Sequence, residues 1–89
     1  AGKPKLVYRG RARSLELDGD YIYFNGADVV MRIKATGGYH EPELVAAPPP
    51  RWRGGIFGLA LTDTHVYYAI RGKDVNFTTL ARIKKPKPS

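Results

Sequence analysis

The sequence predicts an all-β fold made of two repeated antiparallel meanders. The first observation behind this is a returning segment. Leu15-Glu-Leu-Asp-Gly-Asp-Tyr-Ile-Tyr-Phe24 recurs 44 residues later as Leu59-Ala-Leu-Thr-Asp-Thr-His-Val-Tyr-Tyr68. The second is that its flanks echo too: Met31-Arg-Ile-Lys34 matches Ala81-Arg-Ile-Lys84, and Pro4-Lys-Leu-Val7 matches Pro42-Glu-Leu-Val45. The third is that no window carries a helical 3.6-residue period with caps, whereas short apolar runs bounded by Gly, Asn, Asp and Pro recur throughout.

The elements follow in order. Pro4 to Tyr8 is a short apolar strand, and Arg9 to Arg13 a basic connection containing Gly10. Ser14 to Leu17 is a strand, and Asp18-Gly19 is a hairpin signal into the next. Tyr21-Ile-Tyr-Phe24 is apolar at every position, which predicts a strand covered on both faces. Asn25-Gly26 reads as a turn, Val29 to Lys34 as a strand that Thr36-Gly37-Gly38 ends, and Pro42 to Ala47 as a repeat of the first strand. The second unit keeps the order: Ile56 to Leu61, a turn at Thr62 to Thr64, His65 to Ile70, a loop at 71–76, then Phe77 to Lys84. The tail Lys85-Pro-Lys-Pro-Ser89 cannot extend a ladder, because proline lacks the N–H donor, and its lysines read as a solvated end. Tyr21, Tyr23, Tyr67 and Tyr68 are the expected aromatic core.

The chain has 89 residues, 15 Lys+Arg against 8 Asp+Glu for a net charge of +7, and no cysteine. Such a length gives one small domain with a modest core. Neither disulfides nor thiolate metal sites can staple it, which points to oligomerisation as the route to a larger core. The charge favours anionic partners such as nucleic acid, acidic glycans or a membrane surface. No apolar run approaches the ~20 residues that cross a bilayer. With no signal-peptide pattern and no initiator Met, the chain is expected to be a processed product, an excised fragment or an engineered one.

A period of about 40–45 residues built from short strands marks a propeller blade. Labelled a to d from the inside outward, the strands read d, a-b-c-d, a-b-c. The first blade is 14–47. The second, 56–84, is three strands that residues 4–8 of another chain complete, and 85–89 is the tail. Two blades cannot close a ring, and within one chain the two ends lie too far apart to pair. Between chains the exchange works head to tail and closes by rotation into a cyclic homo-oligomer. Pro4, Lys5, Leu6, Val7 and Tyr8 would supply the added strand, and Leu80, Arg82 and Ile83 the receiving edge. Propellers commonly have ~4–8 blades, so two, three or four such chains could close one.

The pattern Leu-x-Leu-Asp-x-x-Tyr-Ile-Tyr-Phe, then Arg-Ile-Lys, Thr-Gly-Gly and Pro-Glu-Leu-Val resembles the blade of TolB-like and YWTD-like six-bladed propellers. This chain lacks the tetrapeptide of the YWTD proteins, having Tyr21-Ile-Tyr-Phe24 and His65-Val-Tyr-Tyr68 in its place. The resemblance implies six blades, hence a homotrimer, and a binding or scaffolding role. Self-assembly as a non-enzymatic scaffold is the expected function. The alternatives are a basic module for nucleic acid or acidic glycan, and a piece of a larger propeller enzyme or receptor.

Length differences between the units locate the expected binding face. Leu6 to Leu15 spans nine positions and Leu44 to Leu59 fifteen, while Phe24 to Arg32 spans eight and Tyr68 to Arg82 fourteen. The second unit therefore carries expansions within Pro48–Gly55 and Ala69–Thr78. In a meander both loops lie at the same end of the sheets, where binding residues gather. The candidates are Arg51, Trp52, Arg53, Arg71 and Lys73, joined by Arg9 and Arg11. An aromatic between two arginines can stack a base or sugar while the guanidinium groups hold an anion. It can equally be a stiff connector whose Trp52 caps a neighbouring blade. His40 and His65 lack a third ligand, and Asp18-Gly-Asp20 lacks the ligands of a calcium loop, so no metal or cofactor is expected. No nucleophile–base pair is visible, and no enzymatic activity is expected.

Overall fold

A computed structural model describes residues 4, 6–26, 28–38, 40–49, 54–72 and 78–87. Seven strands and no helix occur among them: β1 (Leu15–Asp18), β2 (Tyr21–Gly26), β3 (Val29–Lys34), β4 (Glu43–Ala46), β5 (Ile56–Leu61), β6 (His65–Arg71) and β7 (Thr78–Lys84). They form two antiparallel meanders, a four-stranded sheet β1-β2-β3-β4 and a three-stranded sheet β5-β6-β7. The all-β expectation and the two repeated meanders are thus present. Among the described residues, β7 pairs only with β6.

The strand ends differ from the sequence expectation for local reasons. Asn25-Gly26 is the end of β2, not a turn, since Asn25 pairs with Val30 and Gly26 with Val29. β1 begins after Ser14, whose N–H and hydroxyl both donate to Asn25 Oδ1, at 2.9 and 2.8 Å, while its carbonyl accepts from Asn25 N–H at 3.4 Å. Arg71 extends β6 by one residue, its N–H donating to Gly55 O at 3.0 Å. Pro42 has no donor to offer β4, and the hairpin Gly19 takes φ 58°, which glycine tolerates. The expected strand at Pro4–Tyr8 is not formed by the described residues of that segment. A strand needs a paired edge, and here the Tyr8 ring instead packs on Phe24, with centroids 4.8 Å apart.

Register assigns the faces, because residues directly paired across a ladder share a side. In the first sheet one face carries the rows Glu16–Tyr23–Arg32–Glu43 and Asp18–Tyr21–Lys34. The other face carries Leu15–Phe24–Met31–Leu44 and Leu17–Ile22–Ile33. In the second sheet Leu59–Tyr68–Ala81 and Leu61–Val66–Ile83 share one face, and Ala60–Tyr67–Arg82 and Gly58–Ala69–Leu80 share the other.

The core lies between the sheets. Tyr21, Tyr23, Val30 and Ala46 pack against Ile56, Val66, Tyr68 and Ile70, with Leu59, Leu61 and Ala81 at the margin. Phe24 and Ile33 are buried on the opposite face of the first sheet, so β2 is covered on both sides as its unbroken apolar run predicts. Tyr67 departs from the expected aromatic core. It is exposed because strand alternation turns it to the outer face of the second sheet.

Of the tail, the described residues 85–87 dock on the sheets, although Lys87 itself is exposed as the solvated-end expectation has it. Lys85 N–H donates to Thr64 O at 2.9 Å, and Lys85 Nζ pairs with Asp18 Oδ2 at 3.0 Å, carrying the chain from the second sheet across to the first.

Candidate functional site

The connections around β1, β2, β5 and β6 converge at one end of the two sheets. Asn25 is the joint. Fully buried, it accepts both Ser14 bonds through Oδ1 and donates from Nδ2 to Ile56 O at 2.6 Å. One amide side chain therefore ties the start of β1 to β5 of the other sheet. The loop before β1 crosses Gly26 so closely that a Cβ there would meet Arg11 O at 2.7 Å. Gly54, at φ 119°, lies hard against the Arg71 carbonyl, and a side chain would not fit.

Arg11, Arg13, Asp28 and Gly55 line a cavity of about 510 Å³ at this end, with Gly10 and Ala12. Arg9 and Arg71 are exposed, and the Arg71 guanidinium lies 5.4 Å from the Phe57 ring centroid. The loop before β1 and the β2–β3 connection thus meet β5 at a common end, as the alternation of a meander requires. Arg51, Trp52, Arg53 and Lys73 lie outside the described residues, as does Lys5. Of the expected assembly residues, Pro4, Leu6, Leu80, Arg82 and Ile83 are exposed, while Val7 and Tyr8 are half-buried.

A second polar cluster closes the other end. Arg32 is buried, and its Nη2 donates to Lys87 O at 2.7 Å and to Glu43 Oε2 at 3.4 Å, while Nη1 donates to Pro86 O at 3.4 Å. Nε lies 3.2 Å from Glu43 Oε1, as an ion pair without hydrogen-bond alignment. The guanidinium carbon sits 4.2 Å from the Tyr21 ring centroid. Burial opposes the charge, but hydrogen bonds to Tyr23 and Glu43 outweigh it and hold the Arg32 pKa above its ordinary value. A space of about 380 Å³ beside it is lined by Arg32, Tyr21, Lys84, Lys87 and Asp63, among others. The neighbouring cations Arg32 and Lys85 are already paired with carboxylates, so this cluster fastens the tail rather than presenting a free anion site.

Neither Asn25 nor Arg32 stands out by residue type alone. A signal for Arg32 lies in β3, where a lone cation interrupts an apolar run at a position facing Tyr23. His40 Nε2 contacts Thr36 O at 2.8 Å and His65 Nδ1 contacts Thr64 Oγ1 at 2.8 Å, so the histidines lie apart, His40 between β3 and β4 and His65 at the start of β6. Among the described residues no group of three or more His, Cys, Asp or Glu side chains could hold a metal ion. No described helix is long and apolar enough to cross a membrane. No protein-family model, curated protein or solved structure matches this chain.

Proposed function

We propose that this chain is a non-enzymatic scaffold module whose two sheets are propeller blades. Further copies complete the ring by strand exchange, most simply as a homotrimer with six blades. The observation that supports this best is the difference between the sheets. β3 is flanked by β2 and β4, whereas its repeat β7 is flanked only by β6 among the described residues. Pro4-Lys-Leu-Val7 echoes Pro42-Glu-Leu-Val45, and the described residues of 4–8 are not in a strand, so a second copy can use this segment to cover β7. An open strand edge of this kind favours pairing with another chain. The arginine-lined end of the sheets is the surface such a ring would offer to a ligand.

Sedimentation and light scattering test the assembly. The expected mass is about three times 9.9 kDa, falling to a folded monomer of the shortened chain when residues 1–8 are deleted. A full chain that remains a folded monomer overturns the proposal. Arg11 and Arg13 on one cavity, with Arg9 and Arg71 exposed near it, favour a second function, binding of a polyanion at that end. Its mark is affinity that falls steeply with salt.

A further inference from the structure

The two sheets of one chain already contain the contact that copies would make, and the internal repeat identifies both halves of it. Leu59, Leu61, Val66 and Tyr68 of the second sheet pack toward the first. Their repeat equivalents are Leu15, Leu17, Ile22 and Phe24, on the far face of the first sheet. There Leu15 and Leu17 are 62% and 71% exposed. The reciprocal comparison holds at the other surface. Tyr23 and Val30, on the packed face of the first sheet, are 1% and 0% exposed, while their equivalents Tyr67 and Leu80 are 38% and 78% exposed. Each half of the internal interface therefore has a counterpart on an outward face, where Leu15, Leu17, Tyr67 and Leu80 are exposed and Phe24 is covered by Tyr8.

The two outward faces also fit each other in shape. On the second sheet, Gly58, Ala60 and Ala69 leave a shallow groove of about 260 Å³ walled by Tyr67 and Leu80, and its surface is largely apolar. On the first sheet, Leu15 and Leu17 form a ridge of two knobs about 6.6 Å apart, two residues along a strand. Gly58 and Ala60 have the same spacing along β5. Small residues facing large ones let two sheets approach to interior packing distance.

We infer that the free face of the second sheet receives the Leu15–Leu17 face of the first sheet of another copy. The contact is heterologous and repeats the chain's own sheet-on-sheet packing. It rests on the proposal above that copies associate, and adds the surfaces that bind. Tyr8 covers Phe24 in the single chain, at the position where Tyr68 is covered by the first sheet. Moving residues 4–8 onto the β7 of a neighbour uncovers Phe24 for the neighbour's second sheet, so strand exchange and face packing proceed together.

Complementation between blocked variants tests the contact. Leu17→Glu blocks the ridge and Leu80→Glu blocks the groove wall, both at exposed positions that leave the internal core untouched. Ala60→Arg is a second groove variant, and circular dichroism and urea unfolding check that each one folds. Sedimentation measures the mass of each alone and of equimolar mixtures. Each variant alone is expected to be monomeric, with association weakened roughly a hundredfold or more by an unpaired charge in a packed interface. The Leu17→Glu and Leu80→Glu mixture is expected to give a one-to-one dimer, since one unmodified ridge still meets one unmodified groove. If the wild-type chain assembles and loses assembly on deletion of residues 1–8, but the face variants keep its mass, the face contact is refuted while strand exchange stands. A variant that dimerises alone shows like faces pairing and also refutes it, as does a mixture that stays monomeric. A monomeric wild-type chain overturns both proposals.

Discussion

Replacing Asn25 with alanine should release the two sheets from each other. The variant loses three hydrogen bonds: two accepted from Ser14 and one donated to Ile56 O. The partners do not suffer equally. Ile56 is buried, so its carbonyl is left without a donor and without water, at a cost of about 1–3 kcal/mol. Ser14 is only half-buried, so water can replace much of what its N–H and hydroxyl lose, at about 0.5–1 kcal/mol together. The expected loss is about 1.5–4 kcal/mol. That is a large part of the ~4–13 kcal/mol expected for a chain of this length at ~0.05–0.15 kcal/mol per residue. With a urea m-value of about 1–2 kcal/mol/M, the unfolding midpoint should fall by about 2 M at unchanged m. Asn25→Asp separates the two halves of the joint. A carboxylate still accepts from Ser14 but cannot donate to Ile56 O, and it places a charge beside a carbonyl. It should therefore destabilise at least as much as alanine, and recover as pH falls and the carboxyl regains a proton. Urea unfolding followed by circular dichroism reads both. A loss below about 0.5 kcal/mol for Asn25→Ala, or an Asp variant as stable as wild type at neutral pH, would refute the assignment of Asn25 as the joint.

Arg32→Ala should cost about 1–3 kcal/mol, because it removes the bonds to Glu43 and to the Lys87 and Pro86 carbonyls while water can reach the half-exposed Glu43, and Arg32→Lys should recover only part of this since an ammonium lacks the planar fork. The raised Arg32 pKa sets the pH dependence: its stabilisation is whole below the unfolded-state value and is lost only as pH rises through the folded value, so neutral-range urea midpoints should not register it. Gly54→Ala should destabilise more than Gly19→Ala in thermal unfolding, since both have positive φ but only Gly54 abuts a carbonyl, that of Arg71, while Gly19 faces open space. Lys5→Glu should tighten assembly by about 1 kcal/mol, roughly fivefold in sedimentation equilibrium. Lys5 takes the repeat position of Glu43 and Arg82 that of Arg32, so the exchanged strand would restore an ion pair that the wild-type sequence replaces with two cations. Heparin or single-stranded DNA binding at the arginine-lined end should lose affinity steeply with salt, and Arg11→Ser with Arg13→Ser should flatten the log–log slope by about 1–2 if both groups contact phosphate or sulfate.

Much of the backbone plan is legible in the sequence. The repeat of Leu15–Phe24 at Leu59–Tyr68 and the spacing of Gly and Pro locate all seven strands of the two sheets to within about one or two residues. Strand order followed as well, because short connections leave antiparallel neighbours as the simple choice. The polar joints were not legible. Asn25-Gly26 has the composition of a turn, and only the position of Ser14 and Ile56 in space reveals why Asn25 stays in the ladder. Lys85, Pro86 and Lys87 have the composition of a solvated tail, and only the buried Arg32 explains their docking.

The sequence by itself determined the period, the alternation of faces and the excess of positive charge, because these are local or compositional properties that repeat along the chain. Tertiary structure decided which of two equivalent faces is covered. Tyr23 and Tyr67 occupy the same position in the repeat and carry the same side chain, yet one is core and the other surface. The physical reason is that burial belongs to a pair of sheets and not to a strand: Tyr23 has a second sheet against it, and among the described residues Tyr67 has none.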